Sequence, residues 1–210
     1  MFELEYKGGN SVLITTKDRQ LLVDGNVTLL GLKELKIKDA VNLATEKRFL
    51  PDDSQALSLE GPGEYEAGPL AMRGIAMQRM IDTEKDEKKA TSYRVEIGDV
   101  SLGVLGNIAP NLSEDQLEGL GLVDILIVPV GGNGYTLDAT DAIKLIRQIE
   151  PKAVVPIHYD DPALKYEVPQ ESAERFEHEL SAPVETLQKL KIKGSASLPS
   201  TLTVYNISRS

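Results

Sequence analysis

Apolar and polar positions alternate along the first half of the chain, and the period changes in the second half. Phe2-Glu3-Leu4-Glu5-Tyr6 alternates with period two, as a half-buried strand does. After Gly8-Gly9, the stretch Ser11 to Thr16 is apolar and β-branched. Lys17 to Gln20 reads as a turn, and Gln20 to Asp24 closes a hairpin. Ala40 to Ala44 is a further short apolar run. Ala56 to Glu60 and Leu70 to Ile75 flank Gly61-Pro62-Gly63, which reads as a turn between them. Ser92 to Ile97 and Val100 to Leu105 predict another hairpin around Gly98-Asp99.

From Ser113 the spacing becomes helical. Ser113 with Gln116 three residues later is a capping-box pattern. Asp124 to Val130 is nearly continuous in apolar residues, as in a strand buried on both faces. Ala139, Ala142, Ile143, Ile146 and Ile149 recur at helical spacing, and Pro151 ends that helix. Ala153 to Ile157 predicts the next buried strand. Pro169 reads as the start of a helix with the stripe Ala173, Phe176 and Leu180, and Thr201 to Ile207 as a terminal strand. No repeat or linker interrupts the pattern. Hairpins followed by helix–strand alternation predict one domain over 1–210, a layered α/β (α+β) sandwich.

Composition narrows the partners. The net charge of −10 repels a phosphate backbone, and the lysines of Lys85 to Lys89 are interleaved with acids, as in a solvated loop. Three Phe, seven Tyr and no Trp give few stacking platforms, so no nucleic acid is expected. The longest apolar run, Ile125 to Val130, is far short of the roughly 18 residues of a membrane span, so no membrane partner is expected. The acidic start of the chain does not read as a secretion signal. With no cysteine, disulfides and thiolate metal sites are excluded, which fits a cytoplasmic protein. A homo-oligomer is left open.

Two stretches carry candidate chemistry. Pro151 to Tyr159 puts His158 at the end of a buried run, where a histidine serves as a metal ligand, a catalytic base or a hydrogen-bonded structural group. A catalytic zinc needs about three protein ligands. The only other histidine, His178, falls on the solvent side of its predicted helix. No Gly-x-Ser-x-Gly turn marks a nucleophile. The loop from Gly131 to Asp138 follows a buried strand and opens a helix. Its amides suit a small anion, or are capped by Thr136 or Asp138. The candidate ligand-binding residues of these stretches are Asn133, Gly134, Tyr135, Thr136 and His158; Asn107 joins them only through a family resemblance.

These motifs resemble the metallo-β-lactamase-fold superfamily, and within it the branch that includes L-ascorbate-6-phosphate lactonase-like hydrolases. Gly8-Gly9-Asn10-Ser11-Val12-Leu13-Ile14 is similar to that branch's Gly-His-x-Ser-x-Leu-Ile strand. Leu21-Leu22-Val23-Asp24 is similar to the strand that follows, and Gly61 to Glu66 to its central hairpin. Val128-Pro129-Val130-Gly131-Gly132 with Tyr135-Thr136-Leu137-Asp138, and Pro151 to Tyr159, resemble its Pro-x-Gly-Gly-x-Tyr-Thr-Met and Pro-Lys-x-Val-x-Pro-x-His-Tyr segments. The resemblance covers Gly8 to Tyr159 and implies an αββα sandwich around a divalent-metal site.

The ligand set is where this chain departs from the pattern. The family's His-x-His-x-Asp-His positions fall on Glu46, Arg48, Leu50 and Pro51. Its third ligand region holds Gln78 and Arg79, its bridging Asp is Asn107, and its opening histidine is Gly9; His158 alone matches. The segment after the motif is short, so the helix usual there is expected to be missing. The resemblance with these departures implies a degenerate site with no metal and no other cofactor, and a non-catalytic small-molecule binding or scaffolding protein. Its alternative is a phosphoester or lactone hydrolase working with a reduced site. Glu46 and Arg48 either pair with each other or stand as two surface charges.

Overall fold

The computed structural model describes residues 1–52, 56–84 and 88–210; the lysine-rich loop at Lys85 to Lys89 lies partly outside them. Among the described residues, two sheets face each other. The first has strand order β13-β1-β2-β3-β4-β5, and its strands are β1 (Phe2–Gly8), β2 (Ser11–Thr16), β3 (Gln20–Val23), β4 (Val41–Ala44), β5 (Ser58–Glu60) and β13 (Leu190–Ile192). The second runs β12-β14-β11-β10-β9-β8-β7-β6. It holds β6 (Gly63–Ala67), β7 (Leu70–Met77), β8 (Ala90–Ile97), β9 (Val100–Val104), β10 (Ile125–Pro129), β11 (Ala153–Ile157), β12 (Val184–Leu187) and β14 (Thr203–Ile207).

The period-two pattern explains the first sheet. Phe2, Leu4 and Tyr6 of β1 point into the core shared by the sheets, with Leu21, Tyr93, Ile127 and Val155 among its other members. Glu3, Glu5 and Lys7 point away, and Glu3 pairs with Lys189 and Lys191, both at 2.9 Å. β10 and β11 pair in parallel and are buried along their whole length, because the other face of the second sheet is also covered. There Leu126, Val128, Val154 and Val204 pack with Ala142, Ile146 and Phe176 from the helices. The helices are α1 (Glu114–Leu120), α2 (Ala139–Ile149) and α3 (Ala173–Leu180). The Ser113–Gln116 capping box forms in both directions, at 3.3 and 2.9 Å.

The two-sheet α/β sandwich is as expected, and the covering of the first sheet's outer face is where this chain is particular. No α-helix covers that face among the described residues; Leu35 and Ile37, from the connection between β3 and β4, pack on Leu13, Leu22 and Ala40 instead. The helix expected to be missing after β4 is reduced to one 3-10 turn, Lys47–Phe49. Three local expectations are corrected. Gly61-Pro62-Gly63 does not turn a hairpin; it carries the chain from β5 in one sheet to β6 in the other, and the β6–β7 hairpin turns at Gly68-Pro69. Pro169 does not start the last helix, whose N-cap is Ser172. β12 and β13 were absent from the sequence reading, and they fall in different sheets.

Candidate functional site

The carboxyl ends of β3, β4, β9, β10 and β11 gather the polar groups that the apolar runs leave behind. β11 ends at Ile157, and His158 turns into the left-handed region with φ of 50°. Its backbone N–H donates to the Gly9 carbonyl at 2.9 Å, tying the second sheet to the turn between β1 and β2. The imidazole is 3% exposed. Its Nδ1 lies 2.9 Å from Asn10 Oδ1, and Asn10 Nδ2 donates to Asn107 Oδ1 at 3.0 Å. Because the Asn10 amide N–H₂ faces Asn107, its oxygen is the acceptor and Nδ1 carries the imidazole proton. Nε2 is left as a buried acceptor without a partner. Burial, and then the charge of Arg48, push the imidazole down to about 3, so it is neutral at physiological pH.

A second cluster starts at the end of β4. Asp24, just past β3, accepts from the Thr45 backbone N–H at 2.7 Å and from its hydroxyl at 2.6 Å. Burial nevertheless pushes its carboxyl up to about 7, against the pull of those donors. Glu46 is 5% exposed, and its Oε2 lies 3.3 Å from both Arg48 Nε and Arg79 Nη1. Arg79 also grips Asp82 at 2.6 Å, and Arg48 reaches Glu167 at 3.0 Å and the Tyr135 hydroxyl. The Glu46–Arg48 pair expected as one of two alternatives therefore forms. It forms through a 3-10 turn rather than along a strand.

The candidate residues divide. His158 and Asn107 are joined through Asn10, and Tyr135 stacks obliquely near His158 with centroids 5.5 Å apart. Thr136 is buried nearby with its hydroxyl unpartnered. Asn133 and Gly134 are exposed, and Asn133 donates to the Pro169 carbonyl at 2.7 Å. The Tyr135 and Thr136 amides turn back to the Gly132 carbonyl at 3.3 and 3.4 Å rather than facing outward. Asp138 caps α2 through the Asp141 N–H at 2.8 Å. His178 is exposed on α3, away from the site.

Residues 3–158 match the family described as the Beta-lactamase superfamily domain. The chain belongs to that family. A UPF0173 metal-dependent hydrolase of Pyrococcus horikoshii is 24% identical over 160 residues, covering 74% of this chain and 69% of that protein. One from Carboxydothermus hydrogenoformans is 50% identical over 38 residues, which is 18% of this chain and only 16% of that protein. A protein from Thermotoga maritima, assigned as a Zn-dependent hydrolase of the metallo-beta-lactamase superfamily, superposes with a TM-score of 0.76 at 16% identity, covering 99% of this chain and 100% of that one. At that identity the likeness shows the shared fold.

Against this superfamily background, the described side chains at the positions the resemblance assigns to ligands differ from a divalent-cation set. Among the described residues no three His, Cys, Asp or Glu side chains converge. Where the resemblance places ligands, two guanidinium groups flank the one buried carboxylate. A divalent cation there would meet like charge at close range. Leu50 and Pro51 offer no donor atoms.

The sequence reading missed Asn10, Asp24, Thr45 and Gln170. Asp24 had a signal, an acid closing the apolar run Leu21-Leu22-Val23. Gln170 had none, since its place depends on how the segment after β11 folds back over Gly131. There a Cβ would meet both Gln170 Oε1 and the His158 carbonyl at 2.3 Å.

Proposed function

We propose that this chain is a superfamily member whose metal centre has been replaced by an Arg48–Glu46–Arg79 ion-pair cluster. In this reading it is a non-catalytic binding protein for a small molecule held beside His158. The observation that carries the proposal is the buried Glu46 carboxylate lying 3.3 Å from each of two guanidinium groups at positions the resemblance assigns to metal ligands. Two guanidinium groups on Oε2 would repel a divalent cation approaching that carboxylate, whose Oε1 is buried without a hydrogen-bond partner. The test is a hydrolysis screen of phosphoesters and lactones with added zinc or manganese. The binding reading expects no turnover above that of His158→Asn.

A second reading, a hydrolase with a reduced site, has one observation of its own. The imidazole of His158 presents an uncommitted Nε2 lone pair, the group a general base uses, although burial keeps it weakly basic. The relatives named as metal-dependent hydrolases lend it weight. Turnover proportional to protein and lost in His158→Asn would establish this reading instead.

A further inference from the structure

A small cavity opens beside the His158 network, with a volume of about 30 Å³. That is room for a water molecule or for the terminal group of a larger ligand, not for a whole sugar phosphate. Its polar and charged walls include Asn10, Asp24, His158, Lys165, Glu167 and Gln170, and Phe49 and the leucines at 29 and 30 add apolar surface.

Two of these wall residues hold buried acceptors without a donor. One is His158 Nε2, the lone-pair nitrogen left when Nδ1 gives its proton to Asn10. The other is Gln170 Oε1. Gln170 is 9% exposed, and its amide nitrogen donates to the Val168 carbonyl at 2.9 Å, which fixes the oxygen as the free end. Unsatisfied buried acceptors cost about 1–3 kcal/mol each, and both belong to residues that line this cavity, so a ligand with protons to give would relieve them.

We infer that this cavity takes a neutral hydrogen-bond donor, a hydroxyl or an amide N–H at the end of a small molecule, and that His158 Nε2 and Gln170 Oε1 are its acceptors. The inference rests on the binding reading above and supplies its ligand chemistry. A carboxylate or a phosphomonoester dianion brings only lone pairs to two lone pairs. Of the Gly134 and Tyr135 amides that an anion would use, that of Tyr135 already bonds to Gly132, as does that of Thr136 beside it. An ammonium ion has protons, and Asp24 and Glu167 line the cavity, but burial raises the Asp24 carboxyl to about 7, Glu167 is paired with Arg48 at 3.0 Å, and the Arg48 charge already disfavours a proton on His158. A neutral donor meets neither obstacle, and its apolar remainder suits the leucine and phenylalanine walls.

The chain's two histidines make the test clean, because exposed His178 serves as an internal control. The full chain, labelled with ¹⁵N-histidine, is titrated with ethanol, acetamide, acetone, acetate and methylammonium while the imidazole nitrogens are followed by NMR. His158→Asn assigns the signals. Ethanol and acetamide are expected to move the His158 Nε2 resonance upfield and saturably, with His178 unmoved. Acetone, of similar size but without a donor, is expected to do nothing. Gln170→Leu should weaken the response about fivefold, the loss of roughly one neutral hydrogen bond, while the Nδ1 signal stays in place to report an intact Asn10 contact. A saturable response to acetate or methylammonium in place of the neutral donors would overturn the inference and leave the binding reading standing. Silence toward every probe would overturn the inference as well. Stoichiometric zinc uptake that shifts His158 would overturn the binding reading beneath it.

Discussion

At Asp24 and His158, burial acts on two titrating groups with opposite consequences for stability. Asp24 titrates at about 7 in the folded chain, against 3.8 as its ordinary value. Between those values the unfolded chain has lost its proton and the folded chain keeps it, so stability falls as pH rises through that window. His158 titrates at about 3, against 6.5 ordinarily. Between those values the unfolded chain binds a proton that the folded chain refuses, so stability is lost as pH falls from 6.5 toward 3. The two slopes oppose each other over most of the same range. Urea midpoints measured against pH are expected to rise more steeply with pH in Asp24→Asn than in the native chain. In His158→Asn, which tolerates the left-handed backbone, they are expected to fall from pH 4 to 7 (the window of about 3.8 to about 7 set by Asp24). Parallel pH profiles in all three proteins would contradict this account. Glu46 makes a separate prediction. Glu46→Gln leaves Arg48 and Arg79 with Glu167 and Asp82 but without their shared carboxylate. Removing one partner of a buried pair costs about 3–5 kcal/mol, and the partial exposure of both arginines brings the expected loss down to about 1–3 kcal/mol by urea denaturation.

At the scale of elements, the legible parts are those whose signal is local. The alternation in β1, the continuous apolar runs of β10 and β11, the helical stripe of α2 and the capping box of α1 all appear where the residues put them. The misread parts depend on distant partners. β12 is exposed along most of its four residues, and it is a strand because β14 lies beside it. Gly61-Pro62-Gly63 has the composition of any tight turn, and nothing local says that its flanks belong to different sheets. Among the described residues no α-helix covers the outer face of the first sheet, which the short segment after Thr45 foreshadowed. The packing of Leu35 and Ile37 on that face was not foreshadowed. The loop after β10 gives a prediction of its own. Gly131→Ala puts a methyl 2.3 Å from a backbone carbonyl and a side-chain oxygen, and the carbonyl belongs to His158. Such overpacking costs about 1–3 kcal/mol and is expected to displace the imidazole, seen as a shift of its ¹⁵N signals. An unchanged urea midpoint would show that the loop yields easily.

At the scale of the whole molecule, the family and the two-sheet fold were legible from motifs spread over Gly8 to Tyr159, and the match over residues 3–158 covers nearly the same stretch. Arg48, Arg79 and Asn107 could be placed at ligand positions by motif, but their arrangement around Glu46 and Asn10 needed three dimensions. No helix among the described residues is long and apolar enough to cross a membrane. The central claim is that an ion-pair cluster stands where this superfamily's metal would sit. Elemental analysis of the untagged chain, expressed in medium supplemented with zinc, manganese and iron and purified without chelator, tests it most directly. The account predicts only trace metal, unchanged in His158→Asn. Close to one metal ion per chain, lost on that substitution, would contradict it.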